Sequence, residues 1–310
     1  MEILSPAGNF SMLEAAVRSG ADAVYLGLKD FSARRNAENF SDEELERAIE
    51  YCHIRGVRVY LALNTLIKDA ELELAFSSAQ FAYNKGIDGI IVQDLGLAKI
   101  LSEKIPELEL HASTQMSVHS PSALIPLKKL GFKQVVASRE MSKNDLALLC
   151  QKAKGLGIRV EAFVHGALCM SVSGQCLLSA FLGSRSGNRG LCAGPCRLPF
   201  KASGGTGYDL SLKDLSLIEH IPELSRMGIY SFKIEGRMKR PEYVCAVVTA
   251  CKKSISGDYD HTVKKDLSDL FSRSGFTDGY YKKNIDRKML GILYSLRQNK
   301  VKRNALTFGL

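Results

Sequence analysis

Four cysteines lie close together in one glycine-rich stretch of the sequence: Cys169, Cys176, Cys192 and Cys196, with the spacing C-x6-C-x15-C-x3-C. Several thiolates within one loop are typical ligands of zinc or of an iron–sulfur cluster. Structural zinc sites usually pair their cysteines about two to four residues apart, so only the last pair has zinc-like spacing. The spacing therefore favours an iron–sulfur cluster, and both zinc and unliganded redox thiols are alternatives.

Acid–base side chains stand just before the first of these cysteines. If Glu161 points inward on a strand, Phe163 and His165 do so too, because strand side chains alternate with a period of two. His165 is then a candidate catalytic acid or base, and a hydrogen-bonded structural role is the alternative. Glu161 is a second catalytic candidate, and a buried ion pair with Lys233 or an arginine is its alternative role.

A second pair of charged residues, Glu235 and Arg237, ends a later apolar run. An arginine at such a place can clamp a phosphate or a carboxylate. Glu235 is a third catalytic candidate, and a salt bridge between Glu235 and Arg237 is the alternative. We assign substrate binding to Arg237 and Lys233 and to three polar residues of earlier loops, Arg34, Asn36 and Asn64.

A repeated unit along the chain would position these side chains. A helical stretch ends at a glycine and a β-branched apolar run follows, which is typical of helices alternating with parallel strands. The sequence predicts eight strands, near residues 2–4, 23–26, 57–61, 89–92, 108–112, 134–137, 158–163 and 231–234. This count predicts an α/β fold, a (β/α)8 TIM-type barrel, with a doubly wound open sheet as the alternative. In a barrel the candidate residues would meet at the carboxyl ends of the strands.

One connection of this predicted barrel, the loop after the seventh strand, is unusually long. Nearly seventy residues separate Phe163 from Ser231 and include all four clustered cysteines. Loops of this length in compact domains are usually functional. We predict a barrel over residues 1–256, with a cysteine-rich cluster loop at 165–207, and a basic extension over residues 257–310.

Composition limits the class of protein. The chain has 310 residues, of which 45% are hydrophobic and 24% charged, which excludes disorder as the main state. The sequence has neither an apolar run of spanning length nor a signal peptide, so we expect a cytoplasmic protein without a membrane segment. We expect the other four cysteines to be core residues of helices: Cys52, Cys150, Cys245 and Cys251.

The chain carries a net charge of +9. Residues 257–310 hold 11 Lys/Arg and 6 Asp/Glu, so more than half of this excess lies in the last sixth of the chain. A basic excess permits phosphate contacts with nucleic acid, and a solvated surface is the alternative.

Several long runs resemble the signature of peptidase family U32, the collagenase-like family. They are SPAG at 5–8, EAFVHGALC at 161–169, GQCLLS at 174–179, RSGNRGLCAGPCR at 185–197, KIEGRMK at 233–239 and PEY at 241–243. Two runs, SGNRG at 186–190 and SRSGFTDGY at 272–280, resemble the branch that hydroxylates a large-subunit rRNA cytidine. The resemblance extends over about residues 1–281.

The resemblance implies an activity and its cofactors. Similar proteins perform oxygen-independent hydroxylation of an rRNA cytidine, a tRNA wobble uridine or a ubiquinone precursor, with a [4Fe–4S] cluster on four cysteines. The RNA reactions depend on prephenate. Carried onto this sequence, the ligands are Cys169, Cys176, Cys192 and Cys196. Similar proteins continue well beyond residue 281, so we expect further domains or a partner subunit to complete RNA recognition.

Two other classes of function stay open from the sequence. A U32-type cysteine peptidase could pair Cys169 with His165, but this pairing leaves three further cysteines in the same loop without a role. The sequence has neither His-Glu-x-x-His nor Gly-x-Ser-x-Gly. An RNA-binding scaffold with a structural metal would use the basic tail, although the sequence contains no RRM or KH motif.

Overall fold

A computed structural model describes residues 1–200, 203–205, 207–272 and 274–291. Residues 292–310, a large part of the predicted basic extension, lie outside the described residues. The same holds for residues 201, 202 and 206 of the predicted cluster loop and for Arg273.

Eight parallel strands form a closed barrel: β1 (Glu2–Pro6), β2 (Ala23–Leu26), β3 (Arg58–Leu63), β4 (Gly89–Val92), β5 (Leu110–Ala112), β6 (Phe132–Val136), β7 (Arg159–Gly166) and β9 (Ser231–Ile234). Two short strands, β8 (Asp214–Ser216) and β10 (Phe276–Thr277), lie outside the barrel. Neighbouring barrel strands pair in parallel, and β9 pairs with both β7 and β1. The predicted (β/α)8 barrel is therefore confirmed. An open sheet is excluded, because β9 joins the first strand to the seventh.

Helices alternate with the barrel strands, and most of them pack against the outer face of the barrel. The helices are α1 (Phe10–Arg18), α2 (Asp42–His53), α3 (Leu72–Asn84), α4 (Leu95–Lys104), α5 (Leu124–Lys129), α6 (Lys143–Leu156), α7 (Leu178–Gly183), α8 (Ile221–Met227), α9 (Pro241–Ser256), α10 (His261–Phe271) and α11 (Gly279–Lys282). Helix α7 lies instead in the long connection after β7. Capping boxes begin two of the helices: Ser41 with Glu44 on α2, and Ser142 with Asp145 on α6. No helix among the described residues is both long and apolar enough to cross a bilayer.

The main core lies between the strands and these helices, and a small apolar cluster fills the barrel interior. The interior cluster consists of Leu4, Ala23, Tyr25, Tyr60 and Ile91. Of the four cysteines predicted in helix cores, Cys52, Cys150 and Cys251 are buried, whereas Cys245 is partly exposed. Burial raises the pKa of Cys52 and of Cys251 to about 12, so these thiols stay protonated at neutral pH.

Strands β8 and β10 extend the sheet at the carboxyl end of β7. Strand β8 pairs antiparallel with the last residues of β7, and β10 pairs in parallel with β8. The ring of Phe276 packs edge-on against His165 at a centroid distance of 4.8 Å. The segment after α9 therefore packs against the functional end of the barrel.

Candidate functional site

The cysteine-rich segment after β7 folds back across the carboxyl ends of the barrel strands. The Gln175 amide donates to the Gln115 carbonyl oxygen, just after β5, at 3.0 Å. The Asn188 amide donates to Gln93 Oε1, just after β4, at 2.9 Å, and Asn188 Oδ1 accepts from the backbone N–H of Leu66 at 3.0 Å. Two backbone groups and the Gln93 side chain, which follow three neighbouring strands, thus hold the segment over the barrel mouth. We refer to residues 166–200 as the cysteine lid.

An ion pair fixes the middle of the cysteine lid. The guanidinium of Arg189 binds both carboxylate oxygens of Glu71, at 2.6 and 2.9 Å, and also donates to the Leu66 carbonyl oxygen at 2.8 Å. Such a two-pronged pair fixes orientation as well as distance. The next residue, Gly190, has a φ of +80°, and a Cβ there would lie 2.7 Å from the Ser32 carbonyl oxygen. This close backbone approach admits only glycine.

Two of the four lid thiols accept hydrogen bonds from the backbone. Cys176 Sγ accepts from the backbone N–H of Leu178, and Cys192 Sγ from that of Gly194, each at 3.4 Å. Burial raises the pKa of Cys169, and the nearby thiols of Cys196 and Cys176 raise it further, whereas Arg139 lowers it. Backbone N–H groups directed at sulfur are a feature of cluster sites.

The spacing of the thiols differs from that around a single ion. Around one tetrahedral zinc, with Zn–S bonds of about 2.3 Å, the thiolates lie about 3.8 Å apart. Among the described residues, no three of the lid thiols lie within 4.8 Å of one another. The thiols of this structure are therefore not gathered at the spacing of a single zinc ion.

Below the lid, Glu235 brings two arginines together at the end of β9. Its Oε1 accepts from Arg34 Nη2 at 2.7 Å and Nε at 3.1 Å, and its Oε2 accepts from Arg139 Nη2 at 3.2 Å. Burial alone would raise the pKa of Glu235, but the charges of Arg34, Arg139 and Arg237 outweigh burial and hold it at about 2. Glu235 is therefore an ionised anchor at neutral pH. These contacts favour a positioning role over the predicted catalytic one.

Arg237 differs from the other two arginines. It is 4% exposed, and its Nε and Nη1 atoms have no hydrogen-bond partner among the described residues. Burial lowers its pKa to about 10, which still leaves it charged at neutral pH. The predicted alternative of a salt bridge with Glu235 is wrong, because Glu235 is engaged by Arg34 and Arg139 instead. A buried guanidinium with two unpartnered N–H groups fits an anionic ligand.

Glu161 and Lys233 lie deeper, inside the barrel. Lys233 Nζ donates to Glu161 Oε1 at 2.7 Å, and Gln134 Nε2 donates to Glu161 Oε2 at the same distance. The ion pair weighed as an alternative role for Glu161 is therefore present. Lys233 also lies over the Tyr25 ring, with Nζ 4.4 Å from the centroid. Both side chains are thus engaged by contacts within the barrel. The catalytic role predicted for Glu161 and the substrate-binding role predicted for Lys233 stay predictions.

The inward orientation expected for His165 is wrong. The pairing of β7 with β9 shifts register between Phe163 and His165, so the alternation is broken and the ring faces α9. His165 Nδ1 lies 2.9 Å from the Tyr243 hydroxyl, which itself donates to the Glu235 carbonyl oxygen at 2.9 Å. Since that hydroxyl has one proton, it accepts from His165 Nδ1–H, and His165 Nε2 stays buried without a partner.

Electrostatics at His165 agree with this arrangement. Burial, with a smaller contribution from the charge of Lys239, lowers the pKa of His165 to about 3, so the ring is neutral. The unpartnered Nε2 also means that His165 forms no hydrogen bond with Cys169. The structure therefore supports the hydrogen-bonded structural role for His165.

The loop after β2 contains one predicted residue that reaches the site and one that does not. Arg34 pairs with Glu235, whereas Asn36 is exposed and its side chain makes no hydrogen bond to the residues that the structure describes. Asn64 supports the same loop by accepting from the Ala33 backbone N–H at 3.0 Å. It acts next to Arg34 and makes no direct contact with Glu235.

Two residues of the site were not among those selected from the sequence. Arg139 follows β6 directly, and its position at a strand end was the available signal. Tyr243 had no such signal, because its hydroxyl reaches the site from helix α9.

The chain is similar in sequence to several proteins whose names refer to different activities. The 23S rRNA 5-hydroxycytidine C2501 synthase of Escherichia coli is 39% identical over 79% of this chain and 37% of that protein. The tRNA hydroxylation protein P1 of Bacillus subtilis is 35% identical over 82% of this chain and 63% of that protein. The collagenase of Porphyromonas gingivalis is 36% identical over 90% of this chain and 73% of that protein.

The structural comparison shows the same type of fold, and the sequence comparison shows the family. The structure of the U32 peptidase Mk0906 covers 76% of this chain and 93% of its own, with a TM-score of 0.54 at 13% identity, a likeness of fold alone. The sequence model of peptidase family U32 matches residues 8–290. The resemblance seen in the motifs is thus confirmed, and the chain belongs to peptidase family U32.

Proposed function

We propose that the chain is an iron–sulfur-dependent, oxygen-independent hydroxylase of an RNA base, either an rRNA cytidine or a tRNA uridine. The observation that carries this proposal is the unpartnered, buried guanidinium of Arg237 beneath a lid with four thiols. The names of the Escherichia coli and Bacillus subtilis relatives support RNA as the substrate.

Hydroxylation of a base replaces C–H by C–OH; with water as the oxygen donor, the reaction releases two electrons and two protons, and a two-electron acceptor must take up the electrons. Cys169, Cys176, Cys192 and Cys196 would hold a [4Fe–4S] cluster, and such a cluster exchanges single electrons when bound. A prephenate-like acid is the co-substrate that we infer for the anion site.

The arginines would bind and orient this acid. Arg237 would donate its free N–H groups to a carboxylate, and the fork geometry of a guanidinium matches two carboxylate oxygens. Glu235 would hold Arg34 and Arg139 at the rim of the same space and limit its net positive charge. His165 would support this arrangement through Tyr243, which binds the Glu235 backbone.

The peptidase alternative has less support from the site. A cysteine nucleophile needs a base within hydrogen-bond reach. His165 is neutral, turned toward Tyr243 and without a hydrogen bond to Cys169. Because the Porphyromonas gingivalis relative is named collagenase, an experiment must also measure collagen hydrolysis.

The direct test is nucleoside mass spectrometry of rRNA and tRNA from a strain that lacks the chain. We expect a hydroxylated cytidine or uridine to disappear, and wild type to restore it. Cys169→Ala/Cys176→Ala and Arg237→Ala should not restore it, whereas Arg240→Ala should, because Arg240 is exposed. An unchanged nucleoside profile in the deletion strain would contradict the proposal. Collagen hydrolysis that is lost in Cys169→Ala would support the peptidase instead.

A further inference from the structure

Helix α7 of the cysteine lid exposes a cluster of large apolar side chains. Phe181 is 85% exposed, Leu182 65% and Leu177, at the start of the helix, 64%. Three adjacent apolar side chains with this exposure are unusual on a protein surface and mark an interaction site.

A hollow of about 240 Å³ lies beside this helix. Its walls include Cys176, Leu177, Ala180, Ser184, Ser186 and Asn188. Leu177 and Ala180 provide an apolar wall, while the hydroxyls and the amide provide donors and acceptors. Of the four lid thiols, only Cys176 lines the hollow, so the hollow lies next to the four-thiol site and not within it.

The charge of the lid indicates which kind of partner would fit. Residues 166–200 contain three arginines, Arg185, Arg189 and Arg197, and no lysine, aspartate or glutamate. Arg189 is bound to Glu71, whereas Arg185 is exposed two residues beyond the end of α7, with its Nε donating to the Leu191 carbonyl oxygen at 3.0 Å. An exposed aromatic side chain followed four residues later by an exposed arginine, on a positively charged segment, is a composition that binds single-stranded nucleic acid.

We propose that this face binds single-stranded RNA, with an unpaired base in the hollow, a neighbouring base stacked on Phe181 and a phosphate near Arg185. The inference rests on the proposed function, since it assigns a surface to the RNA substrate. In this arrangement, the base would approach the four thiols from the side of Cys176. Arg237, in contrast, lies at the barrel mouth.

The test measures the binding of a short single-stranded RNA, fluorescently labelled and carrying one 5-iodouridine, to the full chain. We expect Phe181→Ala to weaken binding at least about fivefold, the lower end of the loss when a stacking aromatic is removed. Phe181→Trp should retain binding. Ile54→Ala is the matched control, because Ile54 is 75% exposed but lies at the opposite end of the barrel. Phe181 is exposed enough for these changes to leave folding intact.

Photocrosslinking locates the RNA independently of its affinity. We expect the iodouridine to crosslink to peptides that contain residues 177–188. Crosslinks confined to other segments, or equal affinity of wild type and Phe181→Ala, would overturn the proposal. So would a change from dimer to monomer in Phe181→Ala at constant RNA affinity, which would assign the face to a second copy of the chain. Binding and crosslinking are read without hydroxylation, so loss of the proposed function alone leaves this test unaffected.

Discussion

Glu235 shows how one side chain can hold two arginines of a site together. It is 13% exposed and makes ion pairs with Arg34 and Arg139, so its charge balances one of two arginines held close together. Removing one partner of a buried pair usually costs more than the pair itself contributes, because the other charge is left without compensation.

We therefore predict that Glu235→Gln lowers the free energy of unfolding by about 3 kcal/mol, measured by chemical denaturation at neutral pH. Glu103→Gln is the control, because the Lys99–Glu103 pair is exposed on both sides and should contribute less than about 0.5 kcal/mol. Equal stabilities of Glu235→Gln and wild type would refute the anchoring role.

The same carboxyl predicts a dependence of stability on pH. The pKa of Glu235 in the folded chain is about 2, below the ordinary value of 4.5. Its ionised form therefore stabilises the fold above about pH 4.5, and this stabilisation is lost as the pH falls toward 2. Denaturation curves between pH 5 and 2 should fall more steeply for wild type than for Glu235→Gln. Parallel curves would argue against the lowered pKa.

Gly27, at the end of β2, leaves the space that Arg237 occupies. A Cβ at position 27 would lie 2.3 Å from Arg237 Nη1 and 2.7 Å from Ser32 Oγ. We predict that Gly27→Ala displaces the Arg237 guanidinium while the fold is kept, because the clashing atoms end flexible side chains. Calorimetric affinity for prephenate should fall about tenfold, as expected when one charged hydrogen bond is lost. Gly155→Ala is the control, since a Cβ at that position in α6 meets nothing within 4 Å. Unchanged affinity of Gly27→Ala for prephenate would show that Arg237 does not bind the acid.

At the scale of elements, the barrel could be predicted because helices and strands repeat regularly along the sequence. The site could be predicted less well, because it depends on local irregularities of the backbone that leave no pattern in the sequence. Helices ending at glycine before β-branched runs predicted six of the eight barrel strands, and the short apolar runs at 2–4 and 108–112 predicted the other two. The orientation of His165 could not be predicted, because one extra residue in the pairing of β7 with β9 reverses the side chains that follow. The course of the cysteine lid was also hidden, since its anchors at Glu71, Gln93 and Gln115 are distant in sequence.

The Arg189–Glu71 ion pair should keep the lid closed. We predict that Arg189→Ala leaves the melting temperature nearly unchanged, since the pair is about 30% exposed on each side. Hydrogen exchange in residues 166–200 and alkylation of Cys176 and Cys192 should become several-fold faster. Arg55→Ala, whose guanidinium stacks on Tyr51 away from the lid, should change neither rate. Exchange rates in Arg189→Ala equal to those of wild type would show that the lid does not depend on this pair.

At the scale of the whole molecule, the chain combines a conventional barrel with one long connection that contains the proposed redox centre. Family membership was predictable, because its motifs stand in order along the sequence and the family model extends over residues 8–290. The activities of the relatives are less readily assigned to this chain. The chain spans 37% of the Escherichia coli rRNA relative and 63% of the Bacillus subtilis tRNA relative, so a large part of each of those proteins lies outside the matched region.

The most direct test of the account is the metal content of the four-thiol lid. The full chain, purified and reconstituted without oxygen, would be assayed for iron and sulfide and for its visible spectrum, beside Cys169→Ala/Cys176→Ala. Cys52→Ala/Cys251→Ala is the matched control, because these thiols are buried in the helical layer. We predict about four irons and four sulfides per chain in wild type and in the control, and loss of both in the lid variant. Stoichiometric zinc without iron, or iron that persists in the lid variant, would contradict the account.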